Sequence, residues 1–192
     1  MVLSIFGMLL ASAMADIPQI RHYPQVSELK INVSDIKFEM LRIKVDAQYD
    51  IVMKNHYSFL NDIGLRESTN NYKAVNKFGY LGKYQFGRKT LNSIGFKNIT
   101  NRQFLSEPKI QEEAMLVLLK KNKRTLRREI KKYVGKTISG IYVTESGILA
   151  AAHLGGAGNV RKFFRNGKDF KDGLGTSITS YMALFSGYHL NI

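Results

Sequence analysis

Cysteine is absent from this 192-residue chain, which excludes disulfide frameworks, thiol nucleophiles and Cys-containing zinc sites together. Metal-ligand spacing is missing too. The four histidines, His22, His56, His153 and His189, form no pattern such as HExxH, so neither a metal nor a cofactor is expected. The β-branched alternation of an all-β chain is not found and helix formers dominate, so the expected fold is mainly α, with length for one ordinary domain plus an extension. Acids are scarce: 15 Asp and Glu stand against 29 Lys and Arg, for a net charge of +14. Such an excess attracts polyanions through its long-range field, with nucleic acid, acidic lipid and anionic cell-wall polymer all eligible.

No apolar run at the start is long enough to span a bilayer. Met1 to Ala15 is uncharged and ends in Ala13-Met14-Ala15 just before Asp16, which reads as a secretory signal with an A-x-A cleavage site. The alternative is a buried N-terminal helix. A signal implies export to the periplasm or beyond, and export argues against nucleic acid as a specific partner. Residues 16–33, with Pro18 and Pro24 and no helical periodicity, read as an extended arm, leaving 34–192 as the domain.

Within that domain Ser34 is an N-cap candidate for a helix carrying Ile36, Met40, Ile43 and Ala47. Tyr49 to Leu65 is a second apolar segment that delivers the chain to Glu67 at a helix end. Asn70 to Lys83 reads as irregular, and Tyr84 to Ile94 as a helix closed by Gly95. Thr100 and Gln103 make a capping box, and Ser106-Glu107-Pro108 opens a longer helix with Ile110, Ala114, Val117 and Leu118 on its apolar stripe. Between Lys120 and Lys132 lie eight basic side chains and the single acid Glu129. This is either a solvated helix face or an adhesive surface for an anionic polymer, extended by Arg161, Lys162, Phe163, Phe164 and Arg165. Thr144 to Leu154 is a small-residue helix followed by Gly155, Gly156 and Gly158. Thr176 or Ser177 caps a last helix with Ile178, Tyr181, Met182, Leu184 and Phe185, and a short tail follows Gly187.

Glycosidic cleavage needs an acid on the leaving oxygen, and a glutamate in apolar surroundings can supply it. Glu67 follows an apolar segment and has Tyr72, Tyr80, Tyr84 and Phe86 nearby in sequence. Glu145-Ser146 has the same Glu-Ser look, but its place after Thr144 is better explained as a first-turn acid favoured by the helix dipole. For His153, packing against the Gly-rich segment is the simpler role, since no histidine or carboxylate partner lies within sequence reach. No second carboxylate stands out as nucleophile or base.

Glu67-Ser68, then Gly82-Lys83-Tyr84-Gln85 with Gln85 eighteen positions after Glu67, then Ala151 to Gly158, then Tyr181 together resemble the ordered motifs of soluble, goose-lysozyme-like lytic transglycosylases. The similarity covers Tyr49 to Tyr188. It implies a lysozyme-like catalytic domain of packed helices in which Glu67 is the acid and base and Ser68 its neighbour. By the same resemblance, Gln85, Tyr84 and His153 line the sugar site, Gly156 and Gly158 are close-approach glycines, and Tyr181 contacts the glutamate. Lys83-Tyr84 stands where the family has an apolar pair, and His153-Leu154 where it has Tyr-Asn.

The implied activity is cleavage of the β-1,4 bond between N-acetylmuramic acid and N-acetylglucosamine in peptidoglycan strands. Glu67 would protonate the bridging oxygen, and the substrate's N-acetyl oxygen would stabilise the sugar cation. Glu67 would then take the C6 hydroxyl proton to close a 1,6-anhydro ring. Alternatives are a lysozyme-type hydrolase, an inactive glycan-binding module on the same fold, and a basic membrane- or nucleic-acid-binding protein. The expected partners are peptidoglycan and an anionic wall or envelope surface, with association with a secretion apparatus or a phage tail also open.

Overall fold

The computed structural model describes residues 36–37, 40–44 and 54–192. The expected signal, the arm and Ala47 lie outside these residues. The chain divides into two units, Met1–Lys44 and Val45–Ile192. In the first, Ile36, Met40 and Ile43 are helical, as their spacing predicts, and exposed.

The second unit is mainly helical. Its elements are α1 (His56–Ser68), α2 (Arg88–Ser93), α3 (Asn101–Ser106), α4 (Pro108–Thr125), α5 (Arg127–Tyr133), the hairpin β1 (Thr137–Ile138) and β2 (Ile141–Tyr142), α6 (Glu145–Asn166) and α7 (Ile178–Leu184). Local signals set most helix starts. Asn55 accepts from the backbone N–H groups of Tyr57 and Ser58, Thr100 and Gln103 form the expected reciprocal box, and Pro108 occupies the first turn of α4. Thr144 caps α6 and Ser177, rather than Thr176, caps α7. Each capping side chain satisfies an amide that the helix itself leaves without a partner, and Pro108 has no amide hydrogen to leave unpaired.

Two expectations shift. The helix expected over Tyr84–Ile94 begins only at Arg88. Leu81 and Phe86 exchange backbone hydrogen bonds of 2.9 and 2.8 Å around a tight turn whose Gln85 has φ +50°, and a left-handed residue cannot continue a right-handed helix. The helix expected to stop at Leu154 instead runs on to Asn166, kinked at Gly156, where φ is +78°. The hairpin, unforeseen in sequence, turns on Ser139 and Gly140, both at positive φ, as a two-residue hairpin loop of the favoured hand requires.

Helix α6 organises the core. Every residue from Ser146 to Ala152 is buried; Leu149 and Ala150 join the cluster of α1, α2, α4 and the 81–86 turn, while Ile148, Ala151 and Ala152 join that of α5, the hairpin and α7. Small side chains allow both packings. A Cβ at Gly147 would lie 2.4 Å from the Met182 carbonyl oxygen of α7, so a larger residue would force the two helices apart. The segment after Gly187, expected as a tail, packs back: Tyr188 donates from its hydroxyl to Asp62 and from its amide to the Ser146 hydroxyl.

Candidate active site

Helix α1 ends in two consecutive left-handed residues, Thr69 at φ 55° and Asn70 at φ 59°, so the chain turns sharply just after Glu67-Ser68. The Ser68 hydroxyl donates to the Lys83 carbonyl at 2.8 Å, which ties the end of α1 to the turn carrying Gln85. Gly64 makes this approach feasible, because a Cβ there would meet Asn70 at 2.3 Å and Lys83 at 2.5 Å.

From the opposite side α7 brings Tyr181, only 3% exposed, whose hydroxyl donates to Glu67 Oε1 at 2.6 Å. Burial, then the charge and hydrogen bond of Glu67, raise the Tyr181 hydroxyl well above its ordinary range, so it keeps its proton and remains a donor. The bond holds one carboxyl oxygen and leaves Oε2 without a protein partner among the described residues. Tyr188, the other late tyrosine, goes to Asp62 at 2.7 Å instead.

Nε2 of His153 lies 3.7 Å from Glu67 Oε1, and its side chain is 6% exposed. Its ring packs edge-on against Phe86 at 6.0 Å. Burial lowers its pKa, opposed in part by the Glu67 charge and the Tyr84 backbone, so at neutral pH it faces Glu67 as a neutral imidazole. The sequence offered His153 no carboxylate within reach; α6 passes the end of α1 closely enough to bring Glu67 to it.

These residues open onto a cleft of about 510 Å³ lined by Glu67, Gln85, His153 and Gly156, within the usual size range of ligand sites. Its rim carries the half-exposed aromatic rings of Phe78 and Tyr80 and the exposed Leu174. Gln85 donates from its amide nitrogen to the Gly82 carbonyl at 2.9 Å, which orients the side chain from a backbone held at φ +50°. Such a conformation costs a non-glycine residue about 1–3 kcal/mol and persists only where the surroundings enforce it.

Enforcement comes from α4. Gln111, fully buried, accepts from the Lys83 amide and donates to the Tyr72 and Phe104 carbonyls, each at 2.8 Å. Beside it Glu112 accepts from the Tyr72 and Tyr84 hydroxyls, both at 2.6 Å, and from Lys83 Nζ at 2.9 Å. Burial pushes the Glu112 carboxyl upward, but these three hydrogen bonds and the Lys83 charge outweigh it and hold the group below its ordinary value. Lys83-Tyr84 is thus matched by its own polar partners. Neither Gln111 nor Glu112 was foreseen, because an acid or amide on an amphipathic helix looks like surface.

Of the residues expected at the site, Glu67, Gln85, His153 and Gly156 share the cleft, and Tyr181 stands behind Glu67. Ser68 and Tyr84 do not reach it: Ser68 braces the turn, and Tyr84 is fully buried with its hydroxyl on Glu112. Close approach falls on Gly155, where a Cβ would meet Ile178 at 2.6 Å and Phe170 at 2.8 Å; at Gly156 and Gly158 a Cβ would meet nothing. Glu145 takes the expected first-turn position and pairs with Lys123 at 2.9 Å.

The cleft also contains a carboxylate that sequence reasoning passed over. Asp172 lies on its wall beside Gly173 and Leu174, with Oδ1 accepting from the amides of Leu174 and Thr176 at 2.9 and 2.8 Å. Its turn, Asp172-Gly173, was the available signal. Among the described residues no three His, Asp or Glu side chains converge as a metal site would need. No family model matches the chain, and comparison with curated proteins and with solved structures finds no match.

Proposed function

We propose that this protein is a glycan-cleaving enzyme with a lysozyme-like arrangement of helices, a peptidoglycan lytic transglycosylase in which Glu67 acts first as acid and then as base. The observation that carries the reading is the Glu67 carboxyl at the cleft wall, gripped at Oε1 by Tyr181 at 2.6 Å. An orienting donor behind one oxygen frees the other to give a proton to a bridging oxygen and to recover one from a sugar hydroxyl, in fixed geometry. Gln85 offers an amide to a sugar, and Phe78 and Tyr80 offer apolar faces for ring contact.

His153, neutral and apposed to the carboxyl, limits solvent access on that side. Leu154 stands where the resembled family has the amide that would meet an acetamido group, so recognition of that group falls to the Gln85 side. The basic surface supplies attraction to an acidic wall.

One observation favours hydrolysis as a second reading: Asp172 lines the same cleft as Glu67, and a second carboxylate can activate water in a glycosidase. Digestion of purified sacculi separates the two. Mass spectrometry showing 1,6-anhydro ends from wild type, and no product from Glu67→Gln, supports the transglycosylase. Hydrated reducing ends, lost in Asp172→Asn, support the hydrolase.

A further inference from the structure

A second pocket, of about 290 Å³, opens between α5 and α6 and is lined by Arg128, Glu129, Lys132, Tyr133, Arg161 and Arg165, with Phe164 completing its wall. Four cations face one carboxylate. That carboxylate is engaged at one oxygen: Glu129 Oε1 pairs with Arg161 Nε at 3.3 Å, which aims Arg161 and offsets one of the four positive charges, while Oε2 is buried without a hydrogen-bond partner. Arg128 and Arg165 make no hydrogen bond or ion pair among the described residues. The wall is rigid, since Tyr133 and Phe164 stack at 4.3 Å and 6° and the Tyr133 hydroxyl donates to the Phe164 carbonyl.

We infer that this pocket binds a phosphate group carried by the polymer whose glycan lies in the cleft, an inference that rests on the glycan reading of that cleft. Three guanidinium groups and an ammonium suit a tetrahedral, multiply charged anion; one arginine alone meets a carboxylate bidentately. Position supplies the link to the polymer. Thr125 lines the cleft, and its carbonyl accepts from the Arg161 guanidinium of the pocket, so one strand can occupy both. Nucleic acid fits less well, because sequence-tolerant binding of single strands needs open aromatic faces. Here Tyr133 is taken up by Phe164 and by Lys132, whose Nζ lies 5.0 Å from the ring centre.

The test has two arms, run on wild type, Glu67→Gln and the double variant Arg128→Gln/Arg165→Gln. In the first, inorganic phosphate and glucosamine 6-phosphate are titrated by heteronuclear NMR. Saturable shifts confined to α5 and the C-terminal half of α6 are expected in wild type and Glu67→Gln, weakened about tenfold or more in the double variant. In the second, sedimentation measures binding to intact sacculi and to sacculi stripped of phosphodiester-linked polymer by hydrofluoric acid. Wild type is expected to exceed the double variant on intact sacculi only.

Equal phosphate binding by wild type and the double variant overturns the site. Equal binding to intact and stripped sacculi overturns the polymer as its carrier. So does a single-stranded oligonucleotide that shifts Tyr133 and Phe164 and displaces intact sacculi. Localised phosphate binding with no cleavage of sacculi by wild type leaves the site standing and removes the glycan reading.

Discussion

Replacing Tyr181 by Phe deletes one oxygen and keeps the ring that packs against Phe185 at 5.1 Å. What is lost is the 2.6 Å hydrogen bond to Glu67 Oε1, a charge-assisted contact of the kind worth about 1.5–3 kcal/mol. If that energy is what holds the carboxyl in register with a bond about to break, its loss falls on the transition state, a reduction of about 10- to 100-fold in kcat. KM should hardly change, because Tyr181 does not line the cleft. Stability should fall by only about 1–2 kcal/mol, since Glu67, with its side chain 15% exposed, can recover some hydration. Tyr188→Phe is the matched control: it breaks an equally short bond, to Asp62 at 2.7 Å, away from Glu67. Rates of soluble glycan release from sacculi at low and saturating substrate, with urea unfolding of each variant, separate the outcomes. Wild-type kcat in Tyr181→Phe, or an equal loss in Tyr188→Phe, would refute the positioning role.

Three further outcomes follow from the frame around the site. Glu112→Ala takes the carboxylate acceptor from Lys83 and two tyrosine hydroxyls, leaving Lys83 only a 3.4 Å contact to the Tyr72 hydroxyl, and should lower stability by about 2–3 kcal/mol, less than for a full burial because the carboxyl is partly exposed; urea denaturation checks it. Gly82→Ala demands a side chain at φ +72° with its Cβ 2.0 Å from the Gln111 amide oxygen, so a loss of at least about 3 kcal/mol is expected, visible as a lowered Tm. Acid should destabilise in two stages. His153 and His56 are both lowered by burial, so the unfolded chain binds their protons first, and stability drops as pH falls through the ordinary histidine value of 6.5 toward the folded ones. Glu112, whose folded value lies below the ordinary 4.5, contributes stability that is lost at lower pH still, as pH falls through that folded value. A urea midpoint that stays level from neutral pH down to the carboxylate range would contradict the first stage.

Where a structural decision is local, the sequence announced it. Thr100 with Gln103, Pro108, Thr144 and Ser177 each mark a helix start through hydrogen bonding or ring geometry within a few residues. The pairing of Glu67 with Tyr181, 114 positions apart, was legible for another reason: the order of short motifs resembled a known arrangement, and no rule of periodicity would have joined them. What stayed hidden depends on tertiary contact. Tyr84 to Ile94, closed by Gly95, read as one helix, so the turn at Gln85 was missed; only its Gln111 and Glu112 partners on α4 show why the backbone accepts a left-handed residue there. His153 acquires its relation to Glu67 where α6 passes the end of α1, and Asp172 through the turn that follows α6. The Ser139-Gly140 hairpin was readable in principle, but strands of two residues carry too little alternation to be noticed.

The most direct test is mass spectrometry of the fragments released from purified sacculi by wild type and by Glu67→Gln, with circular dichroism and thermal unfolding confirming that both are folded. Wild type should release fragments ending in a 1,6-anhydro sugar, and a folded Glu67→Gln should release none. Cleavage by Glu67→Gln at the wild-type rate, or an inert wild type, would contradict the claim that this carboxyl performs the chemistry.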